Sequence, residues 1–403
     1  MTTLDYPRLR LGLEAIQDDQ DPQHIYLCDR LRLASRPQRL SWREFAWVQL
    51  FNGQRTLREI QAEAMRQVQG ELLAIDRFAT LVERLDAALL LDSPRFRERL
   101  AGPVREPACI GCYEAEPGAL CRQLENLFTD PKGPGMPRQR PADGSLRAVL
   151  APHIDYLRGG PTLAWSFKEV FERSDASLFV IIGTSHYSSE RFTLTRKDFK
   201  TPLGIAQTDQ NYIDRLVANY GDGLFEDEWA HLPEHSIELE VVFLQYLYAN
   251  RRPFRIVPLA VGTFQDTVVY GMQPKNQDDI GRMIEALKKT ETQTNEPICY
   301  IISGDLAHLG PKFGDTRLVE EAQLRHSQQQ DQAILRKAEV VDTEGYFRVL
   351  VDESDGRRIC GFPPTYTVLE AARPRTGRLL HYDQYVHPRG FESVSFASVA
   401  FYR

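Results

Sequence analysis

The sequence predicts an α/β protein, with a central, largely buried sheet flanked by helices and a small α+β domain of winged-helix type ahead of it. Three observations carry this. From residue 145 onward, apolar β-branched runs alternate with amphipathic helical patterns, as a sheet covered on both faces requires. Before residue 100 the pattern is different, with short strands and capped helices. Between the two lie Pro- and Gly-rich breaks at 101–107 and 130–144 (DPKGPGMPRQRPADG), whose prolines deny helix and central strand alike. The expected division is an accessory domain over 1–103 and the α/β domain over 104–403.

In the first domain, 25–33 reads as a strand pair. Ser41 is the expected N-cap of a helix over 41–52 with Phe45, Val48, Leu50 and Phe51 apolar, and Gly53 follows it. Thr56 caps the next helix, with Glu59 three residues on in capping-box register. A third helix over 75–88 ends in the apolar LLLD. Between the breaks, 114–128 is helical, with Leu120, Leu124 and Leu127 on one side. In the second domain strands are expected at 146–151, 178–182, 254–261, 297–302 and 393–401. The helices fall at 162–171, 211–220, 234–248, 276–288 and 317–339.

Composition narrows the function classes. The 403 residues carry 49 Lys and Arg against 56 Asp and Glu, a net charge of −7, with 42% hydrophobic residues. These are globular proportions, and the acidic balance argues against a nucleic-acid partner, which needs clustered cations. Six cysteines are too few for a disulfide scaffold in a chain of this length. The opening residues, MTTLDYPRLRLGLEAIQDDQ, lack the apolar stretch of a secretory signal, and no apolar run approaches the ~20 residues of a membrane span. A cytoplasmic protein without a membrane partner is expected.

In open α/β sheets, ligands bind beyond the carboxyl ends of strands, and the candidate chemistry lies there. AVLAPHIDYLRGG puts His153 and Asp155 directly after a strand, with Gly159 and Gly160 expected to loosen the following loop. LFVIIGTSHYSS puts Ser185, His186 and Tyr187 after the next, and ICYIISGDLAHLG puts Asp305 and His308 past a third. LPEHSIELEVVFLQYL places Glu234 and His235 in the expected first turn of a long apolar helix, on one face with Glu238. A lone histidine after a strand is usually a hydrogen-bonding loop residue. Four of nine histidines at comparable positions beside carboxylates instead suggest one shared site for a divalent metal. His24, His231, His326, His381 and His387 are read as surface or supporting residues. Cys109 and Cys112 form a CxxC, with Cys121 beyond; no second CxxC completes a zinc site, so these are read as ordinary thiols.

Together these segments resemble the Memo family, whose bacterial members are protein B of the AmmeMemoRadiSam set. The resemblance runs from GCYEAEPGALCRQLENLF through APHIDYLRGG, IIGTSHY, PEHSIELEVVFLQYL, RIVPLAVG and ISGDLAHLG to SFASVAFYR, about three-quarters of the chain. It implies the fold of LigB-type class III extradiol dioxygenases, whose non-haem iron sits on two His and a Glu. It also implies a pocket with two histidines, matching His153 and His186, and a cysteine whose position falls at Ala307 in SGDLAH. A thiolate site is therefore not expected, and Asp305, His308, His235 or water would complete the ligand set. The N-terminal stretch LSWREFAWVQLFNGQRTLREIQAEA resembles PqqD-like, peptide-recognising winged-helix domains found beside radical-SAM maturation systems.

The resulting expectation is a non-haem metal-dependent, oxidoreductase-like (dioxygenase-like) enzyme with an unidentified substrate. His153, His186 and Asp305 would hold the metal, Fe(II) first, with Zn(II) or copper as alternatives. His235, His308 and Glu234 would be catalytic, and Asp155, Tyr156, Ser185 and Tyr187 would contact substrate. The alternative is a non-catalytic module binding a peptide or protein through a vestigial dioxygenase-type pocket. Under either reading the expected partners are an unidentified small molecule or peptide and radical-SAM or AMMECR1-like system proteins. A metal-assisted hydrolase, using Glu234, Glu238 or Asp305 to activate water, has no leaving-group pocket in the sequence to support it.

Overall fold

The computed structural model describes residues 5–10, 12–18, 20–29, 33–34, 36–68, 72–138, 143–248 and 251–403. The chain divides into two compact units, Met1–Pro103 and Val104–Arg403. In the first, β1 (Leu13–Gln17), β2 (His24–Asp29) and β3 (Gln38–Ser41) form an antiparallel sheet in that order. Of the expected strand pair at 25–33, residues 25–29 lie in β2, and residues 30–32 lie outside the described residues. Among the described residues four helices follow: α1 (Trp42–Val48), α2 (Leu57–Gln67), α3 (Ile75–Ala87) and α4 (Pro94–Ala101). Ser41 with Glu44, and Thr56 with Glu59, form the two capping boxes, each satisfying helix N–H groups that would otherwise lack partners. Trp47 and Phe78 pack in this unit's core with ring centroids 4.5 Å apart and planes tilted by 33°.

The second unit is α/β, with a large mixed sheet flanked by helices. Its strands are β4 (Val104–Arg105), β5 (Leu146–Ala151), β6 (Leu178–Thr184), β7 (Phe192–Leu194), β8 (Asp198–Thr201), β9 (Gly204–Thr208), β10 (Arg255–Val261), β11 (Ile298–Ser303), β12 (His308–Leu309), β13 (Thr376–Val386) and β14 (Ser393–Tyr402). The order is β12-β14-β5-β11-β6-β10-β9-β8-β4, with β13 beside β14 and β7 beside β10. The middle four strands, β5, β11, β6 and β10, are parallel, and every residue of β6 is buried. Their alternate side chains feed two apolar layers. Leu150, Val180, Ile302 and Leu259 pack toward one layer, and Val149, Phe179, Ile301 and Ile256 toward the other.

Helices α5 (Pro117–Thr129), α6 (Tyr156–Arg173) and α8 (Ser236–Tyr248) supply the second layer; α7 (Gln210–Tyr220), α10 (Asp278–Thr292), α12 (Thr343–Asp352) and α13 (Phe362–Ala372) supply the first. The remaining helices are α9 (Gln265–Tyr270) and α11 (Glu321–Glu339). No helix among the described residues is long and apolar enough to cross a membrane. Gly159 and Gly160 do not loosen a loop. They lie inside α6, where a Cβ would fall 2.1 Å from Ile154 Cγ2 and 2.5 Å from Leu127 Cδ2, so they permit close packing.

His231 is wholly buried away from the strand ends, with its Nε2 2.9 Å from the Thr193 carbonyl and no partner for Nδ1. Nε2 therefore carries the proton, and burial holds the ring neutral down to a pKa of about 4. The unfolded residue takes up a proton near its ordinary value of 6.5. Stability from the neutral ring is thus complete above pH 6.5 and is lost as pH falls from there toward 4, a loss on the order of 3 kcal/mol. The drop in urea midpoint between pH 7 and pH 4.5 should shrink in His231→Gln; an unchanged drop would assign the acid sensitivity elsewhere.

Candidate metal centre

The register of the parallel strands builds the site. Ser303 pairs with Ala151 on one side and Gly183 on the other, so β5, β6 and β11 end at one level. The residues just beyond, His153, His186 and Asp305, therefore emerge along one rim. The Asp305 carboxylate ties two exits together, accepting the N–H groups of His153 (3.0 Å) and Ile154 (3.3 Å). The His153 ring places Nδ1 3.2 Å from Ser303 Oγ and Nε2 3.9 Å from Asp305 Oδ2. Glu234 reaches across from the turn before α8: its carboxylate accepts the His186 N–H at 2.7 Å and lies 3.0 Å from His186 Nδ1. His235 completes the group, with its ring 4.8 Å from that of His186 and 5.2 Å from that of His153.

The rim opens into a cavity of about 460 Å³, lined by these imidazoles with Asp155, Asp305 and His308, and with Cys112, Arg158, Lys312, Phe313, Arg358 and Cys360. Burial, reinforced by His186 and His235, holds the His153 imidazole well below its ordinary range, so it is neutral. Burial also opposes charge on His186, but Glu234 outweighs it and raises that pKa well above the ordinary value. Glu234 itself is wholly buried, yet His186, His235 and the N–H donors keep it ionised far below the usual carboxylate range. Burial lifts Asp305 to about 7 against the pull of its two backbone donors. The rim thus pairs an ionised Glu234 with a protonated His186, beside a neutral His153 and an Asp305 that titrates near neutrality.

Several expectations need correction. Glu234 and His235 precede α8, which begins at Ser236; the Glu234 carboxylate accepts the Ser236 N–H at 3.0 Å and so ends the approach to the helix. Glu238 shares no face with them toward the cavity. It is fully buried against Arg105, Tyr113 and the N–H groups of Ala108 and Cys109. Tyr156 is absent from the cavity wall: its ring is in the core and its hydroxyl donates to the Leu239 carbonyl at 2.7 Å. Ser185 faces a neighbouring cavity of about 220 Å³, and Tyr187 lies beside His186 at 6.5 Å between ring centroids, off the main cavity wall. Asp155 does line the cavity, where it caps α6 and pairs with Arg158 at 2.5 Å.

The largest correction concerns sulfur. Ala307 is buried with its N–H on Ser395 Oγ and does not reach the cavity. A thiol nonetheless enters, from Cys360 in the turn before α13, its Sγ 3.4 Å from His153 Nε2. Gly304 and Gly361 make this possible by packing backbone on backbone, since a Cβ on Gly304 would fall 2.3 Å from Gly361 Cα. Sequence reasoning missed Cys360 because ICGFPP follows no strand and shows no period. Its only signal was a cysteine fixed beside Gly and two prolines.

Residues 105–400 match the family model of the Memo-like proteins. The chain belongs to the Memo-like family. A MEMO1 family protein of Aquifex aeolicus is 26% identical over 368 residues, covering 88% of this chain and 90% of the relative. Those of Sulfolobus acidocaldarius and Sulfurisphaera tokodaii are 29% and 30% identical, each covering 67% of this chain and 88% of the relative. An uncharacterized Escherichia coli K12 protein of known structure covers 64% of this chain and 99% of its own at 16% identity and a TM-score of 0.37, too distant to bear on the argument.

In this Memo-like chain two overlapping donor sets fit a metal ion: His153 with His186 and His235, and His153 with Asp305 and Cys360. Within each set the ligand atoms lie within 4.8 Å of one another. Donors around one ion at ~2.0–2.3 Å stand up to roughly twice that distance apart, so small side-chain adjustments close either set. The hydrogen bonds behind the rings add to the fit. Ser303 and Glu234 occupy the Nδ1 atoms of His153 and His186, which leaves the Nε2 lone pairs for an ion.

Proposed function

We propose that this Memo-like protein is a non-haem metal-dependent enzyme with oxidoreductase-type chemistry, built on a unit akin to the LigB-type extradiol dioxygenases. The convergence of His153, His186 and His235 with Asp305 and Cys360 in one cavity carries the reading. A bound divalent metal, Fe(II) first, would supply Lewis acidity and electron transfer toward dioxygen. The chain's own groups do the rest. Glu234 fixes the His186 ring and offsets cationic charge at the rim. His308 places Nδ1 3.0 Å from the carbonyls of Leu306 and Arg358, so that nitrogen holds the proton and Nε2 is a base; burial keeps it unprotonated down to about 4. His235, about a third exposed at the cavity, is the second proton carrier.

Within the same proposal, the N-terminal unit is a PqqD-like peptide reader, and the protein acts in a radical-SAM system as AmmeMemoRadiSam protein B. The sequence resemblance and the small sheet with capped helices support that reading. The competing reading of a vestigial pocket loses its main support, since a thiol is present at the site after all.

The test is an anaerobic Fe(II) titration with bound metal read by ICP-MS, followed by oxygen consumption. The wild type should retain about one equivalent and His153→Ala/His186→Ala under a tenth of that. Equal metal in both proteins would overturn the metal assignment. Retained Fe(II) without oxygen uptake in the presence of reductant would overturn the redox assignment alone.

A further inference from the structure

Cys112, the second thiol of the CxxC, lies in the wall of the same cavity. Residues 105–113 wrap the buried Glu238 carboxylate, which accepts the N–H groups of Ala108 at 2.9 Å and Cys109 at 3.3 Å and is also bound by Arg105 and the Tyr113 hydroxyl. This anchor fixes Cys109 in the core at 3% exposure. Cys112 N–H donates to the Cys109 carbonyl at 2.9 Å, closing a single turn. Such a turn holds its end Cα atoms within about 7 Å, and a disulfide spans roughly 4.4–6.8 Å. Burial raises the Cys109 thiol well above its ordinary range and the Cys112 side chain adds to the rise, so Cys109 keeps its proton. Tyr156 N–H holds the other side of the turn through the Cys112 carbonyl at 3.1 Å. Cys112 is half-buried and lines the cavity, whereas Cys109 behind it does not.

We infer that Cys112 and Cys109 are a redox-active dithiol that reduces small disulfides entering the cavity. The asymmetry assigns the roles. Cys112 is the one a solute meets, and the Cys109 S–H stabilises the Cys112 thiolate by donating to it. Cys112 S⁻ attacks one sulfur of the incoming disulfide RSSR; a mixed disulfide forms and RS⁻ leaves. Cys109 then gives up its proton and its sulfur attacks Cys112 Sγ, releasing the second RS⁻. The protein dithiol loses two electrons and two protons, and RSSR becomes two RSH. This inference does not depend on the metal reading.

The experiment treats the reduced full-length chain with glutathione disulfide, quenches with N-ethylmaleimide and maps peptides by fragmentation mass spectrometry. Cys109 and Cys112 should lose alkylation together and carry an intramolecular disulfide, while Cys121 and Cys360 stay alkylated. Cys109→Ser should trap glutathione on Cys112. Cys112→Ser should slow oxidation of Cys109 at least tenfold. Full alkylation of Cys109 and Cys112 in the wild type, or a bond from either to Cys121 or Cys360, would refute the assignment. The wild-type map decides the question even if a variant fails to fold.

Discussion

Glu238→Ala should destabilise the chain by about 3–5 kcal/mol, read as the shift in urea unfolding. Arg105 and Glu238 are both fully buried, and four donors converge on that carboxylate. Truncating it leaves the Arg105 cation in an apolar interior, along with the unpaired N–H groups of Ala108 and Cys109 and the Tyr113 hydroxyl. The pair itself is worth less than this, since replacing both partners removes the desolvation cost as well. Arg105→Met/Glu238→Leu should therefore recover part of the lost stability. The effect reaches the metal centre, because Arg105 also donates to the backbone carbonyls of His231 at 2.6 Å and Glu234 at 2.5 Å, holding the segment that presents Glu234 and His235. A loss below 1 kcal/mol in Glu238→Ala would mean that the Arg105 charge finds water there.

The second large effect concerns proton release on metal binding. Burial raises the Cys360 thiol above its ordinary range against the opposing influence of His186, and His186 itself is protonated at neutral pH through Glu234. A metal ion taking Cys360 with His153 and Asp305 must displace the thiol proton and, below about pH 7, that of Asp305, so its apparent affinity rises with pH. The expected slope is between one and two decades per pH unit from pH 6 to pH 8. Cys360→Ser should lower the Zn(II) slope by about one decade per unit and weaken Zn(II) binding at pH 7.5 by about 100-fold. Fe(II), which relies less on sulfur, should lose less. Competition against a chromophoric chelator at three pH values measures this, and parallel slopes for the two proteins would remove Cys360 from the ligand set.

Much of this was legible along the chain because its signals are local. Fully apolar runs such as LFVIIGT can only be central strands, and β5, β6, β10, β11 and β14 lie within two residues of their expected bounds at each end. The capping boxes at Ser41 and Thr56 depend on side chains three residues apart. What escaped detection lacked a period or a contrast. Phe362–Ala372 is buried almost all round, so α13 has no polar face to reveal it, and Thr376–Val386 mixes charged and apolar residues along a half-buried strand beside β14. Tyr156 follows His153 and Asp155 closely in the chain, but the first turn of α6 rotates it into the core.

The sequence by itself determined which residues end the central strands, and therefore that His153, His186 and Asp305 emerge at one rim. Parallel pairing aligns strand ends, so position in the chain becomes position in space. Only the tertiary structure decided what meets them. Glu234 turned toward His186 while Glu238, one helical turn on, was taken by Arg105; Cys360 came in across the contact of Gly304 with Gly361; and Cys112 reached the wall through a turn anchored on a buried carboxylate. These are contacts between residues tens to hundreds of positions apart. They are chosen by close packing and by the cost of leaving a buried charge without a partner, and no short window of sequence contains both sides of that choice.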